Sequence, residues 1–167
     1  MPRSRTAAPD ADDPFADLPD VLQFMQLLWA VVHRVETTSK RMTSELGVTG
    51  PQRLVLRVVG LFPGVSAGDL AGVLHVHPST LTGVLQRLVA QRLLRRADDP
   101  RDRRRAMLWL TARGARINAT RRGTIEAAVG AALDGVTVRD RAATRRVLER
   151  LAQCLESPPT AAGAEQS

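Results

Sequence analysis

Arginine carries most of the positive charge in this chain, and the arginines are concentrated in one region. Of 24 lysine and arginine residues Lys40 is the single lysine, and the formal net charge is +7. Between Ser66 and Arg122 there are 12 arginines against 4 aspartates, a balance of +8. A guanidinium group forms bidentate hydrogen bonds with phosphate and with guanine. The codon bias of a GC-rich genome explains the choice of arginine over lysine equally well, so the clustering is the stronger indication of a nucleic-acid-binding surface.

The densest part of this region is an arginine-rich string, Asp99-Pro100-Arg101-Asp102-Arg103-Arg104. Its aspartate, proline and arginine content is typical of a hairpin tip, from which arginine side chains can enter the minor groove of DNA. The alternation suggests that Asp102 supports a neighbouring guanidinium while Arg101 or Arg103 contacts DNA. An ordinary solvated run of charges is the alternative. The predicted DNA contacts of this string and its base, where arginines would neutralise phosphates, are Arg95, Arg96, Arg101, Arg103 and Arg104.

A second set of polar side chains lies on a predicted helix that begins near Pro78. Serine and threonine hydroxyls usually contact phosphate or sugar, whereas Gln86 can pair with adenine and Arg87 with guanine or a phosphate. Capping of the helix is the alternative role for Ser79 and Thr80. The predicted DNA contacts on this helix are Pro78, Ser79, Thr80, Thr82, Gln86 and Arg87.

The other reactive side chains do not form a catalytic or metal-binding pattern. His33, His75 and His77 have no further ligand types at metal spacing, so no metal site is predicted. The sequence contains no nucleophile elbow, phosphate loop or credible pair of carboxylates, which predicts a protein that is not an enzyme and has no cofactor. Cys154 is the single cysteine and falls on an apolar helix face, which predicts a buried structural thiol.

These residues must be positioned mainly by helices, because 44% of the chain is apolar but only 3% is aromatic. Apolar residues three or four apart predict a long helix from Leu18 to Leu46, ended by Gly47. A second helix follows Thr49 and Pro51. Two short helices come next, at 67–74 behind the capping box Ser66-Ala67-Gly68-Asp69 and from Pro78 to about Gln91. Their tight connection predicts a helix-turn-helix.

Two strands, around residues 93–96 and 106–110, predict a β-hairpin wing. Thr111 is expected to cap one further helix that runs through Ile117 to Leu133, and a last helix begins near Thr137. The first and last helices carry apolar faces without an evident partner. The predicted fold is therefore mainly α, a winged helix-turn-helix with a two-stranded β wing, flanked by N- and C-terminal dimerisation helices.

Composition and length predict one domain between two terminal segments. Residues 1–17 are expected to form a disordered arm and residues 157–167 a disordered tail, both proline-containing. The single domain spans 18–156, with the winged helix-turn-helix at about 48–111 and the dimerisation helices at about 18–46 and 112–156. Because no signal peptide or apolar run of about 20 residues is evident and one cysteine excludes an internal disulfide, the predicted location is the cytoplasm.

The middle of the chain, from about Val48 to Gly114, resembles the multiple-antibiotic-resistance regulator (MarR) family. The resemblance rests on Asp69-Leu70-Ala71, on Ser79-Thr80-Leu81-Thr82 with Leu85-Gln86-Arg87-Leu88, on the D-x-R-D-x-R pattern within residues 99–104, and on the L-T-x-x-G of residues 110–114. It implies a homodimer whose first and last helices interlock and whose two winged motifs enter successive major grooves of a pseudo-palindromic operator.

The resemblance also suggests a cleft for small aromatic anions. Trp29 and His33 lie one turn apart on the first helix, and Arg53 and Arg57 one turn apart on the second. Arginine would bind a carboxylate or phenolate and tryptophan the ring. The alternative places Trp29 in a dimer core and both arginines in solvent.

The function predicted from the sequence is a sequence-specific, DNA-binding transcription regulator, a ligand-responsive repressor that binds its operator as a homodimer. Its expected partners are double-stranded DNA, a second copy of the chain and a small aromatic or anionic effector, with no membrane. The alternative is an architectural protein that coats DNA without sequence preference, for which basic charge alone would suffice.

Overall fold

The computed structural model describes residues 18–99 and 105–156, and it has the mainly helical winged fold that the sequence predicts. The elements in chain order are α1 (Asp20–Leu46), α2 (Gly50–Leu61), β1 (Val65–Ser66), α3 (Ala67–Leu74), α4 (Pro78–Ala90), β2 (Leu94–Asp98), β3 (Ala106–Leu110), α5 (Ala112–Ala119), α6 (Ile125–Leu133) and α7 (Val138–Glu156). The expected arm (1–17) and tail (157–167) lie outside the described residues.

Local sequence signals fix the boundaries of the first two helices. Gly47 ends α1 with a left-handed backbone (φ 72°), as predicted. Thr49 and Gln52 begin α2 with a complete capping box: the Thr49 hydroxyl accepts the Gln52 amide, and the Gln52 side chain accepts the Thr49 amide. Pro51 follows in the first turn, where a missing amide hydrogen costs nothing.

The helix-turn-helix consists of α3 and α4. The Ser66 hydroxyl caps α3 by accepting the Asp69 amide at 3.1 Å, and it donates to the Asp69 carboxylate at 2.6 Å. His75 ends α3 with a left-handed backbone (φ 50°), and His77 is the N-cap of α4. The turn histidines are thus capping residues of the two helices.

The sheet has three antiparallel strands in the order β1-β3-β2. Leu94 pairs with Leu110 and Asp98 with Ala106, which forms the predicted two-stranded wing. β1 adds Val65 opposite Leu108 as a third strand. The sequence does not predict β1, because two residues are too few to show an alternating pattern.

The buried core belongs to the winged helix-turn-helix. It joins side chains from α2, α3, α4 and the sheet that are almost wholly inaccessible to solvent, among them Leu56, Val59, Leu70, Leu88, Leu93 and Leu108. Gly114 belongs to the same packing, because a Cβ at this position would overlap the carbonyl oxygen of Leu93. This close approach explains the glycine of the L-T-x-x-G motif.

One helix predicted from Thr111 to Leu133 is in fact two, and the prediction was wrong at this point. α5 ends at Ala119, Thr120 is extended and Gly123 is left-handed (φ 74°) before α6 begins. The buried guanidinium of Arg53 donates to the carbonyl oxygens of Ile117, Asn118 and Thr120. The arginine thus replaces the amides that another helical turn would have supplied. Because Arg53 and Ile117 are more than sixty residues apart in the chain, helical periodicity does not indicate their contact.

The chain divides into two compact units, one ending at Ile125 and the other beginning at Glu126. In the second unit the Thr137 hydroxyl accepts the Asp140 amide at 3.2 Å, which confirms a last helix beginning near Thr137. No residue of α7 is buried, and Cys154 is exposed rather than buried as expected, because the described residues of this unit do not cover the apolar face of α7. Within residues 18–99 and 105–156, no helix is both long and apolar enough to span a bilayer.

Candidate nucleic-acid interface

α4 has one buried and one solvent-facing side. Leu81 and Leu88, at 3% and 0% exposure, hold the helix in the core. The predicted DNA contacts all lie on the exposed part of the helix: Pro78, Ser79, Thr80, Thr82, Gln86 and Arg87. Between Ser79 and Gln86 on the same face lies Gly83, where an added Cβ would have no atom within 4 Å. The structure therefore brings these side chains together on one accessible surface, and Gly83 leaves open space among them.

The first turn of α4 is fixed by a side-chain cap from His77. The His77 Nδ1 accepts the Ser79 amide at 3.3 Å and lies 2.7 Å from the Ser79 hydroxyl oxygen. Farther along the helix, the Thr82 hydroxyl donates to the Pro78 carbonyl at 2.8 Å. The capping role suggested by the sequence for Ser79 or Thr80 thus belongs to His77.

Thr80, Gln86 and Arg87 differ from their neighbours, because none of the three side chains hydrogen-bonds to a described residue. Gln86 offers an amide with both donors and an acceptor, and Arg87 offers the donors of a guanidinium. These polar groups are exposed and available to a ligand, which is the arrangement that a recognition helix requires.

The wing places two arginines at the base of the hairpin. The guanidinium of Arg95 stacks over the Trp109 ring on the paired strand, 4.2 Å from the ring centroid. Such a cation–π contact restrains the arginine while its N–H donors stay accessible. Arg96 is also exposed and lies opposite Leu108. The predicted contacts Arg101, Arg103 and Arg104 lie outside the described residues.

Arg105 has a different role from the other arginines of the wing. Its guanidinium donates to the Asp69 carboxylate at 3.0 Å and lies 3.4 Å from the Ser66 hydroxyl. The contact ties the start of β3 to the first turn of α3. The sequence predicts a helix cap for Asp69 but not this contact, because Asp69 and Arg105 are far apart in the chain.

The suggested anion cleft does not include Arg53. With 1% exposure and its donors directed at the end of α5, Arg53 is neither in solvent nor open to a ligand. Arg57 donates to the Asn118 side-chain oxygen at 3.0 Å and is half-buried. Trp29 and His33 are exposed on α1, with Trp29 at 70%. Arg53 is unavailable to a ligand because the carbonyl groups at the C-terminal end of α5 require its hydrogen-bond donors.

Comparisons with known proteins agree with this geometry. Residues 46–105 match the model of the MarR family. The transcriptional regulator HosA of Escherichia coli O111:H- is 38% identical over 70 residues, which are 42% of this chain and 52% of HosA. The HTH-type transcriptional regulator TtmR of Methylorubrum extorquens is 32% identical over 87 residues, 52% of this chain and 45% of TtmR. The chain thus spans about half the length of these relatives.

A solved structure extends the likeness beyond the winged helix. The transcriptional regulator PcaV of Streptomyces coelicolor, crystallised in complex with its natural ligand, is 27% identical with a TM-score of 0.62. The alignment covers 89% of this chain and 99% of PcaV. Fold, motif order and these matches agree: residues 46–105, which contain the helix-turn-helix and the first strand of the wing, match the MarR family model, and the chain is similar to transcriptional regulators.

Proposed function

We propose that this protein is a sequence-specific DNA-binding transcription regulator. The observation that carries the proposal is the exposed face of α4, where Gln86 and Arg87 are free of bonds to described residues beside an arginine-bearing wing. A recognition helix with base-reading side chains is needed for a specific regulator, whereas a non-specific protein needs only charge. The names of HosA and TtmR as transcriptional regulators support the same function.

In the proposed complex each part of the surface has its own role. α4 enters the major groove, where Gln86 contacts adenine and Arg87 guanine or phosphate. Arg95 and Arg96 neutralise phosphates at the base of the wing. Arg101, Arg103 and Arg104, which follow β2 and precede β3 in the sequence, would contact the minor groove. Pro78, Ser79, Thr80 and Thr82 complete the contacts of the helix.

The protein acts as a homodimer in this proposal. Most of the apolar side chains of α1 are exposed, including Val21, Phe24 and Leu27 at 64–70%. A helix with so much uncovered apolar surface requires a partner in water, and a second copy would also supply a second α4. Two such helices would meet half-sites roughly 10 bp apart, which corresponds to one turn of DNA.

Regulation by a small effector is the finer part of the proposal. PcaV was crystallised with its natural ligand, which supports a ligand site in a protein of this fold. Trp29, His33 and Arg57 remain the candidate contacts for a small aromatic anion, without Arg53. An effector of this kind releases DNA only to the extent that it binds one conformation of the dimer more tightly. Titration of benzoate into the DNA complex, with an equal concentration of chloride as control, tests for release.

A nuclease-protection experiment on the DNA beside the protein's own gene tests the proposed function. We expect one bounded footprint with two half-sites, whose centres are roughly 10 bp apart. Gln86→Ala together with Arg87→Ala should abolish the footprint, whereas Arg116→Ala, an exposed arginine on α5, should preserve it. Protection that spreads evenly along the DNA without boundaries would instead support the architectural function.

A further inference from the structure

Two hydroxyls on the outward side of α4 use their hydrogens within the protein. Ser79 is the first. Because a backbone amide can only donate, the His77 Nδ1 is the acceptor in its bond with the Ser79 amide. The Ser79 hydroxyl, 2.7 Å from the same nitrogen, must therefore donate to it. The hydroxyl oxygen keeps its lone pairs but has no hydrogen for another partner.

The Thr82 hydroxyl hydrogen is also used within the protein, in this case by a backbone carbonyl. Its hydroxyl donates to the Pro78 carbonyl oxygen one turn earlier in the helix, at 2.8 Å. Because a carbonyl oxygen can only accept, the Thr82 hydroxyl is the donor in this bond. Ser79 and Thr82, three residues apart on an exposed surface, therefore both present hydrogen-bond acceptors to solvent.

Gly83 leaves space beside these acceptors. A Cβ built on Gly83 would meet no atom within 4 Å, so the helix surface is open there. Glycine in a helix interior destabilises the helix relative to alanine. The absence of a side chain allows another molecule to approach the backbone of α4 closely.

We infer that Ser79 and Thr82 are specificity-determining residues that accept hydrogen bonds from base amino groups in the major groove, with Gly83 providing the room. Phosphate oxygens are acceptors and cannot bond to a hydroxyl without a free hydrogen. The donors on the major-groove edges are the N6 amino group of adenine and the N4 amino group of cytosine. This assignment differs from the phosphate contacts expected of these hydroxyls, and it rests on the proposed function.

The first step of the test identifies a preferred duplex by selecting from a random DNA pool with the full-length protein. Thr82→Val then removes the hydroxyl and keeps the shape of the side chain, while Thr82→Ser keeps the hydroxyl. The matched control is Thr80→Val on the same helix, because the Thr80 hydroxyl forms no bond with a described residue and its hydrogen is free for a phosphate. Circular dichroism checks that each variant is folded.

Each protein is next titrated with the selected duplex, with a scrambled duplex and with selected duplexes in which one base lacks its amino group. The analogues are purine in place of adenine and 2-pyrimidinone in place of cytosine. At the base that donates to Thr82, removal of the amino group should weaken DNA binding by the wild type about tenfold. The same removal should change DNA binding by Thr82→Val little or not at all. Thr82→Ser should retain the dependence. Thr80→Val should weaken selected and scrambled duplexes by the same factor.

The inference is overturned if every amino-group removal costs the same in wild type and Thr82→Val. It is also overturned if Thr82→Val weakens selected and scrambled duplexes equally, since that result describes a phosphate contact. A failure of the proposed function looks different, because the random pool would then yield no preferred sequence at all. The same series with Ser79→Ala tests the second acceptor.

Discussion

Arg92 has a left-handed backbone conformation, which is favourable for glycine and unfavourable for arginine. It lies between α4 and β2 with φ 57°, in the left-handed region where a Cβ is unfavourable. The adjoining structure holds it there, because the Thr111 hydroxyl donates to the Arg92 carbonyl oxygen at 2.7 Å. The exposed side chain has no bond to a described residue, so the strain is not offset by a visible contact.

Replacement of Arg92 by glycine should therefore stabilise the protein. Relief of the left-handed strain, less the greater entropy of glycine in the unfolded chain, gives a gain of about 0.5–1 kcal/mol. Urea unfolding at fixed protein concentration measures the free energy of unfolding. Arg92→Ala is the control, since it removes the side chain and keeps the strain. Equal stabilities of Arg92→Gly and Arg92→Ala would contradict the explanation.

Arg53 shows how one buried side chain organises the backbone around it. Its guanidinium supplies donors to the carbonyls at the end of α5, where the chain leaves the helix. Removing such a buried donor leaves the carbonyl oxygens without partners, which costs the full desolvation of each group.

Arg53→Met should consequently lower the free energy of unfolding by about 2–4 kcal/mol. The control is Arg116→Met on the exposed side of α5, for which a change within about 0.5 kcal/mol is expected. Thermal and urea unfolding monitored by circular dichroism compare the two variants with the wild type. Equal and small effects of both substitutions would show that the Arg53 contacts contribute little.

At the scale of elements, the sequence predicted the helix boundaries and turns that depend on residues close together in the chain. The end of α1, the start of α2 and the helix-turn-helix follow from Gly47, Thr49 and Pro78, whose effects act within a turn or two. The break after α5 and the Asp69–Arg105 pair were not predictable in this way. They depend on residues that are adjacent only after folding, and neither periodicity nor motif spacing records such contacts.

The Asp69–Arg105 pair anchors the wing to α3, and its loss should weaken DNA binding. Asp69→Asn removes a negative charge near DNA, so simple electrostatics predicts tighter binding. We expect the opposite, a loss of about three- to tenfold, because a loosened wing must be ordered on binding. The comparison is Asp98→Asn on β2, because the Asp98 carboxylate has no bond to a described residue; this variant should bind as well as the wild type or better. Tighter binding by Asp69→Asn would refute the anchoring role.

For the whole molecule, exposed apolar surface is the main clue to assembly. The sequence predicted the apolar faces of the outer helices, and α1 and α7 do carry exposed apolar side chains. How two copies join does not follow from one chain, because the contact depends on the surface of the partner.

Charges introduced into α1 should separate the proposed dimer. Phe24→Glu with Leu27→Glu would place two carboxylates in the apolar contact, where burial without a partner is costly. Sedimentation equilibrium should show a monomer for this variant and a dimer for the wild type. Val73→Glu, an exposed apolar residue of α3 at 55%, should leave the dimer intact. A wild-type monomer, or a double variant that remains dimeric, would contradict the role of α1.

The central claim, specific recognition of DNA, is tested most directly by the salt dependence of binding. The full-length protein is titrated with a footprinted duplex and with its scrambled counterpart at low salt and at about 150 mM salt. Both affinities should fall as salt rises, but the footprinted duplex should remain at least about a thousandfold preferred at the higher concentration. Equal affinities that fall together and vanish at physiological salt would mean that the arginines bind DNA by charge alone, and the claim would be wrong.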